Sequence, residues 1–397
     1  MSREVSAPRG NGAATLSDPE LDVFRQRTDP VLDELLATLP PQEVGQMLGK
    51  LFKSDTIPLE DERFARLCAR LPAVPLADPA AIAEGQQLFQ LFGPEILLIL
   101  GCYALPAAYA AADGVQVIYR ARRLKDDGLR RLTETAQMLI NVMHPGGLEP
   151  DGIGTRSARK VRLMHALVRR HVRSLKEPEW SPRLGEPINQ EDLAGTLLTF
   201  SLVVLDGLRK IGAHVSPEAE RGYFAVWDHL AEILGIDERL RPSDFGSAMA
   251  FAQRIAQRQF RATPEGQSLA SDLAKVLDDL FVIPGYGTSL MRFFLDGSVF
   301  GLNLAELLGL PPPNWTRHLV RSRAAQKYFV LSWLPRVPGA QSRRRAFSGF
   351  FTQRLILLQR PDKHSPFEVP PGLLEAWRLQ KRGPRAQRSA RLSAPLP

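Results

Sequence analysis

Apolar residues return every three to four positions over most of this chain, the period of a helix with one buried face. Leu21, Phe24, Leu32 and Leu36 begin the pattern within residues 19–36. From Pro79 onward it predicts helices over about 80–92, 94–111, 126–143, 157–175, 189–212, 216–234, 242–262, 264–282, 285–295 and 301–309. Period-two alternation is nearly absent, and only residues 114–119 read as a strand. Several boundaries have a mechanism. Asn189 ahead of Gln190, Glu191 and Asp192 can cap a helix, accepting a free backbone N–H while the acids meet the positive end of the dipole. Ser216 before Pro217 is a cap followed by proline at the first helical position. Pro145-Gly146-Gly147 and the proline run 311–313 end their helices. The expected class is all-α, one large helical domain without internal repeats.

The pattern also divides the chain. Residues 1–16 are small and polar and are expected to be disordered. Residues 17–79 form a helical extension ending in a linker with Pro72, Pro75 and Pro79, and 80–310 hold the main helical domain. A basic, aromatic extension over 311–365 and a Pro/Arg-rich tail over 366–397 follow. With 397 residues, 44% of them hydrophobic and 24% charged, the chain has the balance of a globular protein with a sizeable core.

Locating the charge changes the picture. The net charge is +8, but residues 336–397 alone carry 13 Lys and Arg against Asp362, Glu368 and Glu375. Everything before them is slightly acidic, so the basicity belongs to the tail and says nothing about a substrate in the core. Cys68 and Cys102 make neither a disulfide framework, nor a zinc site, nor the Cys-x-x-Cys-His attachment of a c-type haem. The first residues lack the apolar core of a secretory signal, so the expected compartment is cytoplasmic. Residues 95–112 are almost wholly apolar. Gly101, Pro106 and many alanines weaken them as a membrane span, and they read as a buried core helix.

Within 157–175, Val161, Met164 and Val168 lie four, one and three residues from His165 and place it on an inward face. An earlier stretch, 126–143, brings Arg131, Glu134, Thr135 and Met138 toward one face of its own. An imidazole opposite an arginine, a carboxylate and a hydroxyl could line a haem pocket, which needs one strong axial donor and a polar group on the far side. The competing reading is a hydrogen-bonded core histidine. Among the other histidines, His171 falls on the Arg169-Arg170 side and is expected to face solvent. His144, His214, His318 and His364 sit at helix ends or in loops, and His229 is the best rival. No pair of histidines has zinc-protease spacing.

The run Arg131-Leu-Thr-Glu134-Thr135, followed thirty residues after Thr135 by His165 in Arg162-Leu-Met-His165-Ala-Leu-Val168-Arg169, resembles the catalytic region of the rubber oxygenases (latex-clearing proteins) and of the mycophenolic-acid-pathway oxygenase. Pro187-Ile-Asn189-Gln-Glu191-Asp192-Leu and Thr196-Leu-Leu-Thr199-Phe200 continue the similarity, which covers roughly residues 80–310. The resemblance implies a globin-like helical core holding non-covalent haem b, with His165 as proximal iron ligand. It further implies Arg131 and Thr135 on the O₂ side and a pocket threonine at Thr196 or Thr199. Its best-studied members cleave isoprenoid double bonds with O₂. This chain departs in having Glu134 where the rubber-cleaving members carry a lysine. A carboxylate cannot be the same cationic donor; it can exchange protons with bound oxygen, ligate iron weakly or pair with Arg131. The upstream glutamate of those enzymes has no clear counterpart, Asp113 being the nearest acid.

The expected function is therefore haem b-dependent oxygenation of an unsaturated hydrophobic substrate, prenyl or lipid-like, with O₂ as co-substrate. Two alternatives stand beside it: a non-catalytic haem sensor or carrier, and a cofactor-free helical lipid-binding or membrane-docking protein. The basic tail reads as a solvated extension or as a peripheral membrane contact. No nucleic-acid signature accompanies it.

Overall fold

The structure is a computed structural model that describes residues 12–348, apart from 55, 123–127, 174–179, 282, 334–338, 341–343 and 346–347. Among them there is no strand, only an isolated bridge between Ala111 and Phe260. The fold is all-α. Five short helices come first: α1 (Gly12–Thr15), α2 (Asp18–Arg25), α3 (Pro30–Ala37), α4 (Pro41–Lys53) and α5 (Glu62–Arg70). Then follow α6 (Pro79–Ile99), a π-helical turn (Leu100–Ala104), α7 (Leu105–Tyr109), α8 (Val115–Arg122), α9 (Gly128–Met143) and α10 (Ile153–Val172). The remainder comprises α11 (Gln190–Phe200), α12 (Leu202–Lys210), α13 (Pro217–Leu234), α14 (Phe245–Gln259), α15 (Pro264–Phe281), α16 (Tyr286–Leu295), α17 (Leu304–Leu307) and α18 (Thr316–Trp333).

The expected caps are present. Asn189 accepts from the Asp192 N–H at 2.9 Å, and Ser216 accepts from the Ala219 N–H at 3.2 Å ahead of Pro217. Four expectations are corrected. Residues 115–119 instead begin a helix, α8, in which Val115 and Val117 are buried and Gln116 and Arg120, four apart, bond to each other along its axis. Residues 12–16 are ordered, since Ala13 and Leu16 are buried in the main core; residues 1–11 lie outside the described part. The helix expected over 189–212 is broken at Ser201, whose hydroxyl bonds back to the Leu197 carbonyl at 2.9 Å. The helix expected to stop before Gly93-Pro94 instead runs on, kinked at Phe92 (φ −123°, ψ 19°) where proline removes a backbone donor.

Packing centres on α6 against α13. A Cβ on Gly85 would lie 2.3 Å from the Gly222 carbonyl oxygen, so only glycine lets the two backbones approach this closely. The apolar stretch 79–109, as long as a membrane span, is mostly buried in the fold. A second, smaller core lies between α3–α5 and α10: Leu32, Leu36, Met47, Leu51, Phe64 and Leu67 enclose Leu163, Ala166 and Leu167. Thus α10 is wedged between the main core, which it meets through Ala158, and the N-terminal helices.

Candidate functional site

The site is built on the α9–α10 hairpin. Its turn runs through Gly147, Gly152 and Gly154, and a Cβ on Gly154 would meet the Asn141 carbonyl oxygen at 2.7 Å. Asn141 donates from its amide to the Ser157 hydroxyl at 2.9 Å, fixing the register of two antiparallel helices. Six residues back from Asn141 is half-buried Thr135; six to eight on from Ser157 are Leu163 to His165. Equal rises along both helices therefore bring Thr135 level with the turn that carries His165. Arg131 and Glu134 occupy the first two turns of α9, and their side chains lie outside the described residues.

His165 sits on α10 with Arg162 three residues before it and Arg169 four after, so the three share a face. Burial pushes its imidazole pKa down to about 4, helped by the positive charge of Arg169 and opposed by Asp29. At neutral pH the ring is uncharged and one nitrogen keeps its lone pair, the form a metal takes. The residue as a whole is only partly buried. His229, the rival, is enclosed: the Leu148 carbonyl accepts from its ring, and Nε2 is shut in without a partner among the described residues. It braces the α9–α10 turn. His171, expected at the surface, is half-buried, and burial lowers its pKa to about 4 as well.

The two candidate threonines separate. Thr196 is exposed and its hydroxyl donates to the Asp192 carbonyl at 2.8 Å, which removes it from an internal pocket. Thr199 is buried, its hydroxyl turned to the Thr196 carbonyl at 2.8 Å. Asp113 pairs with Arg25 and Arg261 and is an anchor for α2, not a free acid.

Sequence reasoning missed the buried ion pairs around His165. Arg162 donates to both oxygens of Asp29 (2.6 and 3.1 Å) and to the Ile233 carbonyl at 2.9 Å. Arg169, 1% exposed, donates to Asp33 at 3.0 Å and to the Ile188 carbonyl at 2.9 Å. Glu191 is likewise buried, bonded by Arg25, Arg258 and Gln259. The available signal was two arginines seven residues apart flanking an inward histidine.

Among the described residues no group of three or more His, Cys, Asp or Glu side chains is placed to hold a metal. A bare ion needs several such donors, whereas haem brings four nitrogens of its own and needs one from the protein. A neutral imidazole on a helix wedged between two cores fits that demand.

Residues 84–332 match the family described as ER-bound oxygenase mpaB/B'/Rubber oxygenase, catalytic domain. A rubber oxygenase of Streptomyces sp. (strain K30) is 25% identical over 274 residues, 66% of this chain; the match spans 65% of that relative's length. The solved structure of a latex clearing protein, LCP, in its closed state superposes with a TM-score of 0.61 at 21% identity, over 86% of this chain and 91% of the other. That likeness shows a shared all-helical fold. With the match running through α6 to α18 and taking in the α9–α10 hairpin and His165, the chain belongs to the mpaB/rubber oxygenase catalytic-domain family.

Proposed function

We propose that this protein is a haem b-dependent oxygenase that uses O₂ on an unsaturated hydrophobic substrate, prenyl or lipid-like, with oxidative cleavage of a carbon–carbon double bond as the reaction. The observation that carries the reading is His165: an uncharged imidazole on α10, between two buried arginines and level with Thr135, inside a domain of an oxygenase family. His165 would hold the iron from the proximal side, and the bound haem supplies the uptake and activation of O₂.

The chain's own residues do the rest. Arg162 and Arg169 hold α10 in place on either side of the imidazole along the same face. The Thr135 hydroxyl, level with His165, can donate to an oxygen atom or accept from one. Arg131 and Glu134 follow from the family resemblance: the guanidinium steadies negative charge on oxygen, and the carboxyl holds or delivers a proton. Glu134 in place of a lysine sets this chain apart from the rubber-cleaving members and favours a different pairing of proton donor and substrate. Fold alone transmits no activity.

Expression with ample haem tests the reading. The expected result is a Soret band and a b-type pyridine haemochrome, lost in His165→Ala while helicity persists, followed by carbonyl products from prenyl lipids. A colourless protein that cannot be reconstituted would end the oxygenase reading and favour a lipid carrier. Gas binding without product from any unsaturated lipid would favour a sensor.

The C-terminal extension supports a peripheral membrane contact. Trp315, Tyr328 and Val330 on and beside α18 are more than half exposed, and Arg317, Arg321 and Arg323 share that helix with no acid. Sedimentation with phosphatidylserine vesicles, but not with phosphatidylcholine vesicles, is the expected outcome. The tail beyond residue 348 lies outside the described residues.

A further inference from the structure

We propose that Asp33, Arg169 and the carbonyl of Ile188 form a positioning relay that fixes the bearing of the His165 imidazole, with Asp29 and Arg162 as a second anchor. The N-terminal helices would then be a working part of the site, although the family match begins only at residue 84. The inference rests on the haem reading of His165 for its purpose, but its geometry is independent of it.

The first observation is the nature of the contacts on α10. Its faces toward the small core are apolar, through Leu163, Ala166 and Leu167. Apolar packing is non-directional, and alone it leaves a helix some freedom to roll about its axis. Guanidinium–carboxylate pairs do not. Arg162 meets Asp29 with two hydrogen bonds, and Arg169 meets both oxygens of Asp33 from one nitrogen. These pairs lie three residues before His165 and four after it, on its own face, so they set the rotation of the turn between them. The desolvation cost of such buried pairs offsets much of their attraction, so the role proposed for them is to specify geometry.

The second observation is strain. Ile188 has φ of 52°, and it is the one residue other than glycine with positive φ among those described. For a β-branched side chain this is a true outlier, and such a residue persists only where its surroundings over-determine it. Here they do. Arg169 takes the Ile188 carbonyl, Asn189 caps α11, and the flanking Glu186 and Gln190 amides donate to the Arg25 and Arg27 carbonyls at 3.0 and 2.9 Å. Gln190 donates from its side-chain amide to the Thr28 and Gly235 carbonyls. Arg162 closes the other end, donating to Ile233 at the C-terminus of α13. Gly235, at φ 76°, leaves it room there, for a Cβ would stand 2.6 Å from its Nη2. The His165 turn is therefore held between the end of α13 and the start of α11 by residues that α2 and α3 orient.

The test uses the full chain with Asp33→Asn and Asp29→Asn, which keep shape and remove charge, and Asp206→Asn as a control at a partly buried ion pair on α12. Haem transfer to excess apomyoglobin, the iron–histidine Raman band of the ferrous protein and amide exchange over residues 186–193 are read together. Asp33→Asn is expected to speed haem loss by about tenfold, to shift or broaden the Raman band and to speed exchange at 188–192. The control should leave all three unchanged. The charge exchange Asp29→Arg with Arg162→Asp should restore much of what Asp29→Asn loses. Lower melting temperatures with haem retention, Raman band and exchange as in wild type would reduce the pairs to plain structural contacts and overturn the relay. Should Asp33→Asn fail to fold, Arg169→Lys, which keeps charge but not the forked geometry, takes its place. If wild type takes up no haem, the function fails but the relay is still decided: unchanged exchange at 188–192 in Asp33→Asn overturns it.

Discussion

Arg169 is a charged side chain that water hardly reaches, and Glu191 is another. A charge so buried must be matched by partners, which is why removing one partner costs more than the pair contributes. Arg25→Met should therefore destabilise by about 3 kcal/mol or more, because Glu191 and Asp192 lose a shared cation; urea unfolding measures it. Burial of His171 gives a pH prediction. Its pKa falls from 6.5 to about 4, so the stability that the neutral ring contributes is present above pH 6.5 and lost as pH falls toward 4. Asp192 works in the opposite sense: burial raises its pKa from 3.8 to about 6, and its contribution fades as pH rises through that value. His171→Gln should thus flatten the acid-side loss of melting temperature in the apoprotein, and an unaltered slope would contradict the assignment. At residue 134 a lysine restores the pattern of the rubber-cleaving members, and Glu134→Lys should change the visible spectrum of the haem-loaded protein. An identical spectrum would place this side chain away from the iron.

Helix positions were legible from periodicity because most elements here bury one stripe. Pro217–Leu234 and Pro264–Phe281 fall within a residue or two of the expected bounds, since caps and prolines mark their ends. What could not be read was how one element ends inside another. Ser201 breaks a helix through a side-chain bond to its own backbone, and Phe92 absorbs a kink that proline alone suggested would be a stop. The pairing of α6 with α13 was equally hidden: Gly85 and Gly222 look like helix-weakening residues until their backbones are seen in contact. Gly222→Val should push the two helices apart and cost about 3 kcal/mol or more, seen as a drop in melting temperature with loss of near-ultraviolet dichroism. A stable, well-packed variant would show that the contact tolerates a side chain.

At the scale of the molecule, His165 and Thr135 could be placed by spacing on two helices, whereas their supports could not. Asp29 and Asp33 lie more than a hundred residues away in sequence and look like ordinary surface acids on a short helix. Long-range ion pairs leave no local pattern, and the order of Thr196 and Thr199, one exposed and one buried, depended on a helix break as well. The N-terminal helices also carry the partners of Arg162, Arg169 and Arg258. A fragment beginning at Pro79 would strip from these buried or half-buried cations the carboxylates of Asp29, Asp33 and Asp22, beside an uncovered Leu163 and Leu167. It is expected to aggregate, and light scattering against the full chain would check this.

The apolar rod of α6 and α7 has a consequence for synthesis. Its closest companion, α13, begins about a hundred residues after the rod ends. At ribosomal speed the rod waits roughly 5–20 s for that cover. For that interval it is a nascent segment able to recruit a chaperone or to enter a bilayer by mistake. Glu95, planted near its middle and later met by Lys327 and Arg344, makes wrongful insertion costly before it serves the finished fold.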